Sequence, residues 1–205
     1  MWSELRADAR LYSALRWPGR SSALRRAFIW VRSRGLLILT VQRLLHRYLV
    51  RRQQRGWTVE TIALRILFVF APRFIILLAK SDVAASTVIG SGVYLSDGGH
   101  LILGPQSIGR GCVIHARVTI GVRAGEEVLP VVCDEVWIGP DSVIYGNVSL
   151  GHGATVLPGS VLSMSVAPRT VVGGNPAIIV RRDFDNRQLR HTLATDIDRE
   201  SLTAR

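Results

Sequence analysis

Two histidines and one aspartate have the residue types and the spacing expected of a proton-transfer site. His100 follows a pair of turn-forming glycines, and Asp97 lies three residues before it. A carboxylate at this distance could hold the imidazole in one tautomer and stabilise its protonated form, so we expect His100 to act as a general base oriented by Asp97. The alternative is a surface turn that Asp97 caps through its own backbone. His115, in "VIHARV", is the second candidate for the base.

A six-residue repeat of aliphatic residues surrounds these candidates. In "IGRGCV" and "IGPDSV", for example, an aliphatic residue is followed directly by glycine. Six-residue periods are typical of parallel β-helices, in which each sixth side chain enters a shared interior column. We therefore predict a β-helix of about four coils, whereas a β-sandwich would show two-residue alternation. The members of the series are Ile89, Leu95, Ile108, Ile114, Ile120, Ile138, Ile144, Leu150, Val156 and Leu162.

The repeat slips by one residue beside the candidate base. From Leu95 to Ile108 the sequence counts thirteen residues, where two repeat units would take twelve. We expect the extra residue to remodel the turn that contains "SDGGH", because its glycines allow the backbone to re-aim their neighbours. His115 lies eighteen residues beyond Asp97, which is about one coil, so these two residues could stack at one edge of the β-helix.

The first eighty residues differ in composition from the rest. The chain has a net charge of +11; residues 1–80 hold sixteen basic and three acidic side chains, and residues 81–205 hold ten and twelve. Apolar residues recur at helical spacing in the first part, which predicts three or four basic helices. Their aliphatic runs favour an anionic membrane surface as partner over nucleic acid. Packing on the body or on a sister subunit is the alternative.

The most apolar stretch of the chain is Ile62–Ala79. Arg65 and Arg73 interrupt it, and Pro72 would break or kink a helix there. We therefore expect this stretch to lie against a membrane surface rather than to span the bilayer.

Cys112 and Cys133 form no CxxC pair, and the first residues do not resemble a signal peptide. We therefore expect a cytoplasmic protein that can contact the inner face of the membrane.

These patterns divide the chain into three parts. They are a basic helical region over residues 1–80, a β-helix domain over 81–182 and a C-terminal tail over 183–205, expected to be helical.

The repeats, the stretch "IGPDSVIYGNVSLGHGATVLPGSVL" and the closing "VAPRTVVGGNPAIIV" resemble the hexapeptide-repeat acyltransferases, most closely their serine acetyltransferase-like branch. The resemblance covers about Ser81 to Arg182. It implies a left-handed parallel β-helix, homotrimers built on it, and transfer of an acetyl group from acetyl-CoA to a hydroxyl. This chemistry requires no metal, and the sequence shows no cluster of metal ligands. The left hand comes from the resemblance alone, because general connection rules favour the right hand.

The resemblance also implies where acetyl-CoA binds. In acetyltransferases similar to this sequence, a final Gly-x-Pro-Ala segment lies beside the pantetheine arm, and guanidinium groups suit the phosphates. Turn glycines of the repeat would contact the cofactor only incidentally, and the arginines could equally form a solvated cluster. The residues expected at the cofactor are Gly139, Gly146, Arg169, Gly173, Gly174, Pro176 and Arg181.

The sequence departs from these relatives at two positions. Where they carry a histidine two residues beyond the position of Leu95, it has Asp97, and where they carry a second histidine it has Leu129. Glu126 and Glu127 lie close to the second position, and carboxylates there would repel an amino-acid substrate. We therefore expect a sugar or polysaccharide precursor as acceptor, although the glutamates could also form a solvated loop tip. A non-catalytic scaffold and an acyltransferase with a longer acyl donor are the alternative functions.

Overall fold

The computed structural model describes residues 2–16, 33–55, 80–122 and 125–190. These contain two α-helices, α1 (Trp2–Arg16) and α2 (Arg34–Arg55), followed by fifteen short β-strands. The strands are β1 (Asp82–Val83), β2 (Val88–Ile89), β3 (Tyr94–Leu95), β4 (Ile102–Leu103), β5 (Ser107–Ile108), β6 (Val113–Ile114), β7 (Thr119–Gly121), β8 (Val131–Val132), β9 (Trp137–Ile138), β10 (Val143–Tyr145), β11 (Ser149–Leu150), β12 (Thr155–Val156), β13 (Val161–Leu162), β14 (Val171–Gly174) and β15 (Ala177–Arg181).

The strands form the three parallel faces of a prism. The first face contains β1, β4, β7, β10 and β13, the second β2, β5, β8 and β11, and the third β3, β6, β9, β12 and β14. Three successive strands make one coil, and the chain winds as a left-handed parallel β-helix, which confirms the predicted fold. We call the turns from the first to the second face corner I, from the second to the third corner II, and from the third to the first corner III.

Each face sends one aliphatic side chain per coil into the prism. Strand pairing stacks these side chains, as in the series Leu103, Ile120 and Ile144. All of them are buried except Val83, which is half-buried, and this confirms the interior positions predicted from the repeat. The columns are Val83, Leu103, Ile120, Ile144 and Leu162 on the first face, Ile89, Ile108, Val132, Leu150 and Val166 on the second, and Leu95, Ile114, Ile138, Val156 and Val172 on the third.

The prism has five coils rather than about four. In the fifth coil Val166 takes the second-face position, where it forms a β-bridge with Leu150. It follows Leu162 by only four positions, so the six-residue repeat ends at Leu162 although the winding continues through β14.

The predicted one-residue slip is divided between two corners. Eight positions separate Leu95 from Leu103, so corner III of the first coil has two extra residues. Five positions separate Leu103 from Ile108, so the next corner I is one residue shorter than the repeat. The net excess is the predicted one, but the turn that contains "SDGGH" is longer than the simple count indicates.

Helix α2 lies across the open edge of the first coil. Its side chains Leu36, Ile38 and Leu39 are buried in the same core as the columns of the prism. The amide of Gln42 donates to Thr87 O at 2.7 Å. Because the first strands have no preceding coil with which to pair, such contacts satisfy backbone groups that would otherwise lack partners.

Helix α1 extends this cover. The hydroxyl of Tyr12 donates to Leu95 O at 2.7 Å and accepts from Leu95 N–H at 2.8 Å, so it serves both edge groups of that residue. Its ring packs on Tyr94 with centroids 5.1 Å apart. The described part of the N-terminal region therefore packs on the body of its own chain. Neither helix is apolar enough over a sufficient length to cross a bilayer, and the stretch Ile62–Ala79 lies outside the described residues.

The last strand reverses direction at the far end of the prism. Strand β15 pairs antiparallel with β14 and exposes Ile178, Ile179 and Val180. The chain then returns to corner II, where the amide of Asn186 donates to Glu135 O at 2.9 Å. Residues 187–190 form a helical turn, and the rest of the predicted tail lies outside the described residues.

Candidate functional site at corner III

Corner III brings Asp97, His100 and His115 onto two neighbouring coils. The pairing of β3 with β6 places His115 beside the residue that precedes Asp97. One coil here takes nineteen residues rather than eighteen, which accounts for this offset. The N–H of Arg117 donates to Gly99 O at 3.1 Å and fixes the extended turn to the coil that follows.

Asp97 binds the start of helix α2. Its Oδ1 atom accepts a hydrogen bond from Ser33 Oγ at 2.7 Å and another from Gly35 N–H at 2.9 Å. The N–H groups of a first helical turn lack partners within the helix and carry partial positive charge, so a carboxylate is a favourable acceptor for them. Asp97 therefore anchors the helical cover to the prism.

His100 lies on the surface of the extended turn. Its side chain is exposed, and its backbone adopts φ of +57°, directly after Gly99 with φ of +68°. A left-handed backbone is uncommon for residues other than glycine, and histidine tolerates it better than most. The extra residues of the turn thus place an imidazole in solvent at the corner.

His115 is the more enclosed of the two histidines. It is half-buried, its N–H donates to Ile138 O at 3.1 Å, and its ring lies 4.8 Å from the ring of Trp137, centroid to centroid, with 59° between their planes. Burial lowers the pKa of His115 from its ordinary value of 6.5. The imidazole is therefore neutral at pH 7, in the form that accepts a proton.

Trp137 and Thr155 lie on the third face beside His115, and the sequence patterns did not single them out. Trp137 pairs in register with Val113 on one side and with Thr155 on the other. His115 Nε2, Trp137 Nε1 and Thr155 Oγ1 are all buried without a hydrogen-bond partner. The sequence does show a tryptophan directly before Ile138, at a position that faces outward. Its pairing with the strand before His115 could not be predicted from the repeat, because the 121–130 connection interrupts the six-residue spacing.

An ion pair flanks the two histidines at the same corner. The guanidinium of Arg117 donates from Nη2 to Asp141 Oδ2 at 2.7 Å, linking the second coil to the third. The hydrogen bonds from Arg117 lower the pKa of Asp141 below its ordinary value. Both side chains are exposed, so the pair contributes little to stability but fixes the charge at the rim of the corner.

Two of the glycines expected at the cofactor lie close to a neighbouring coil. Gly139 is on corner III, where a Cβ atom would be 2.7 Å from Pro158 N, and Gly173 lies within β14, where a Cβ atom would be 2.8 Å from Leu157 Cδ1. The backbone contact requires glycine at position 139, whereas the Leu157 side chain could move aside at position 173. Gly146 is on corner I, with φ of +89° and the carboxylate of Glu126 close by.

The remaining cofactor candidates are spread over the far end of the prism. Arg169 is exposed on corner II. Gly174 and Pro176 lie at the turn between β14 and β15, where the peptide bond before Pro176 is cis. Arg181, on β15, places its guanidinium carbon 5.4 Å from the ring centroid of Phe184. One chain therefore does not gather these residues around the histidines.

The two glutamates near Leu129 have different surroundings. Glu126 is half-buried, and its Oε2 accepts from the N–H of Asn147 at 3.1 Å, so it ties the connection to corner I. Glu127 is exposed. Across the described part of the chain, no group of three or more His, Cys, Asp or Glu side chains is arranged to hold a metal ion.

Known proteins share this architecture and part of the sequence. Residues 130–163 match the family "Bacterial transferase hexapeptide (six repeats)". The chain is 36% identical to a chloramphenicol acetyltransferase from Escherichia coli over 67 residues, which are 33% of this chain and 30% of that protein. It is 30% identical to serine acetyltransferase from Escherichia coli K12 over 119 residues, which are 57% of this chain and 44% of that protein. The chain thus spans less than half the length of these relatives.

Solved structures show the same fold over most of the chain. Soybean serine acetyltransferase complexed with serine superposes with a TM-score of 0.67 at 26% identity, covering 87% of this chain and 68% of that one. Serine acetyltransferase from Brucella abortus in complex with coenzyme A gives 0.70 at 23% identity, covering 88% and 68%. Residues 130–163 thus match the hexapeptide-repeat transferases, and the chain resembles serine acetyltransferases in sequence and in fold.

Proposed function

We propose that this protein is an acetyl-CoA-dependent O-acetyltransferase whose acceptor is a hydroxyl of a sugar or of a polysaccharide precursor. Relatives that match part of the sequence are acetyltransferases by name, and residues 130–163 match the hexapeptide transferase family. The observation that supports the proposal most strongly is the half-buried, neutral imidazole of His115 at corner III. It lies one coil beyond Asp97, which occupies the position of the relatives' histidine.

His115 is the better candidate for the general base, and His100 is the alternative. A base must be unprotonated at the working pH, and burial keeps His115 so. Its Nε2 atom is covered, so proton transfer through this atom requires the ring or its neighbours to move when the acceptor binds. His100 is accessible, but the carboxylate expected to orient it already binds helix α2 through Oδ1.

The reaction would proceed by direct transfer. The imidazole takes the proton of the acceptor hydroxyl as its oxygen attacks the thioester carbonyl carbon, and backbone N–H groups stabilise the oxyanion. The C–S bond then breaks, the CoA thiolate leaves, and the imidazolium returns the proton to it. No further reactant is needed to balance these steps.

A hydroxylated acceptor without a carboxylate fits the surroundings better than free serine does. Leu129 replaces the relatives' second histidine, and Glu127 is exposed nearby. A negative side chain there disfavours an amino-acid carboxylate but accepts hydrogen bonds from sugar hydroxyls.

A homotrimer would bring the scattered cofactor residues together. Arg169 is on corner II and Arg181 on β15, away from the histidines, so a groove between neighbouring prisms could combine corners that one chain keeps apart. Both arginines are exposed and could bind the phosphates of CoA. Val88 and Ile102 are also more than half exposed on the faces, as expected of surface that a partner covers.

Contact with the inner face of a membrane is part of the proposal. Arg6, Arg10, Arg34 and Arg52 are exposed on the described helices and would attract anionic headgroups. A lipid-linked sugar would then be presented to an enzyme held at the same surface.

A non-catalytic scaffold is the second candidate. It is favoured by the role of Asp97, which holds helix α2 at the position where the relatives' pattern has a base. Such a protein would keep the prism and the cover but would not consume acetyl-CoA.

Release of CoA thiol with a panel of mono- and oligosaccharides tests the proposal. We expect thioester consumption by the wild type, a loss of roughly a hundredfold or more in His115→Gln, and no loss in His152→Gln, which changes an exposed histidine of corner II. Abolition of turnover by His100→Gln alone would move the base to His100. CoA binding without turnover in the wild type would favour the scaffold.

A further inference from the structure

The ring of Trp137 is held against His115 by the backbone of two coils. Strand β9 pairs with β6 so that Trp137 lies opposite Val113, two residues before the histidine. The hydrogen bond from His115 N–H to Ile138 O, at 3.1 Å, continues this ladder to the residue after Trp137. The backbone positions of both residues are therefore fixed, which explains why the two rings are in contact, with their centroids 4.8 Å apart.

The charged groups around His115 are engaged elsewhere or lie in solvent. Asp97 binds the start of α2, and Arg117 and Asp141 pair with each other. The lowered pKa of His115 has burial as its cause and no charge contribution. The titratable and charged residues on the elements packed against it are Tyr94, Asp97, His100, Arg117 and Asp141.

The third face beside this contact contains buried polar atoms without hydrogen-bond partners. Trp137 Nε1 and Thr155 Oγ1 are buried and unpaired, as is His115 Nε2. Each such group costs free energy relative to an apolar residue of similar shape, and native proteins contain few of them. Phenylalanine and valine would fill the same positions at lower cost, so packing alone does not account for this cluster.

We propose that Trp137 is the positioning residue of the base: its indole ring fixes the orientation of the His115 imidazole at corner III and keeps water away from it. This inference rests on the proposed role of His115 in acetyl transfer. In many acid–base sites a carboxylate orients the histidine, and in this chain an aromatic ring does so.

Two substitutions of Trp137 test whether its aromatic ring is required. Trp137→Val removes the ring and introduces the residue that Val113 already supplies one coil earlier on the same face. Trp137→Phe keeps an aromatic ring against the imidazole. Both replacements have high β-propensity, and circular dichroism would verify that the β-helix forms.

NMR titration of the histidine Cε1–H signals gives a readout that does not depend on activity. We expect the His115 midpoint to rise towards 6.5 in Trp137→Val and to stay near the wild-type value in Trp137→Phe. An unchanged His115 midpoint in Trp137→Val would overturn the inference.

The pH–rate profile provides the second readout. Because a base is active only when neutral, activity falls as the pH drops through its pKa, and a raised pKa moves this fall to higher pH. We expect that shift in Trp137→Val, with kcat reduced by roughly ten- to a hundredfold and KM for acetyl-CoA little changed. If the NMR midpoint moves but the wild type acetylates no sugar, the proposed function fails while the effect of Trp137 on His115 stands.

Discussion

Arg43 is the residue that joins both helices to the prism. Its guanidinium pairs with Asp8 Oδ2 at 2.9 Å and donates to Ile89 O, also at 2.9 Å, and to Gly90 O. The other oxygen of Asp8 accepts from the N–H of Gly92 at 2.8 Å. Both side chains are buried, so each charge depends on the other for its solvation.

Replacement of Arg43 by methionine should destabilise the protein strongly. It would leave the Asp8 carboxylate and two carbonyl groups buried without their donor, at a cost of about 3–5 kcal/mol in the free energy of unfolding. Urea denaturation would measure this change. The matched control is Arg110→Met, which breaks the exposed pair with Asp134 and should have little effect. Equal costs for the two variants would contradict the role given to Arg43.

Individual residues also show which contacts could not be predicted from the sequence. Asp97, His100 and His115 could be recognised as candidates from their types and from the slip in the repeat. That Asp97 binds Ser33 and Gly35 could not be predicted, because these partners are more than sixty residues away in sequence. A carboxylate before two glycines fits a turn, a catalytic pair and a helix anchor equally well.

At the scale of elements, the contact between α2 and β3 sets the position of the cover. Gly35 lies so close to the strand that a Cβ atom would be 1.9 Å from Leu95 O and 2.5 Å from Tyr12 Oη. Leu95 O belongs to the backbone of β3 and cannot move aside without disturbing its pairing with β6. The helix can therefore approach the strand only at a glycine.

We expect Gly35→Ala to destabilise the protein although alanine is the better helix former. In an ordinary helix this change would be favourable by about 1 kcal/mol, so a loss of stability identifies the steric clash. The decrease in melting temperature and faster hydrogen exchange of the Leu95 amide would report it. Gly121→Ala, where a Cβ atom meets nothing within 4 Å, is the control and should change neither quantity appreciably. A Gly35→Ala variant more stable than the wild type would mean that α2 does not lie against β3 at this residue.

The elements divide into those that the repeat predicts and those that it cannot. Most interior residues from Ile89 to Leu162 were predicted because each occupies the same place in a regular unit, whereas Leu103 and Val132 were missed because the spacing around them departs from six. The fifth coil, the shortened corners and β15 depend on departures from six-residue spacing, which local turns and contacts between coils decide. Periodicity carries no information about such positions.

On the scale of the whole molecule, the prism presents different chemistry at each corner. His100 and His115 are on corner III, Glu126 is bound at corner I, and Arg169 lies on corner II. In the proposed function, neighbouring copies bring these corners to one substrate.

We therefore expect the protein to be a trimer in solution. Sedimentation equilibrium should give a mass about three times the 22.6 kDa of one chain. Catalysis should require the assembly, so activity per chain should fall upon dilution to monomer. A monomer with full activity would contradict a site shared between copies.

The regular part of the prism has one more consequence, for how such a molecule can change length. From β8 to β13 the strands pair eighteen residues apart: Val131 pairs with Ser149, Trp137 with Thr155 and Val143 with Val161. A block of eighteen residues duplicated there would restore every interior column in phase and lengthen the body by about 4.8 Å. Evolution can therefore extend or shorten the distance between the helical cover and the C-terminal strand in whole units, without altering either.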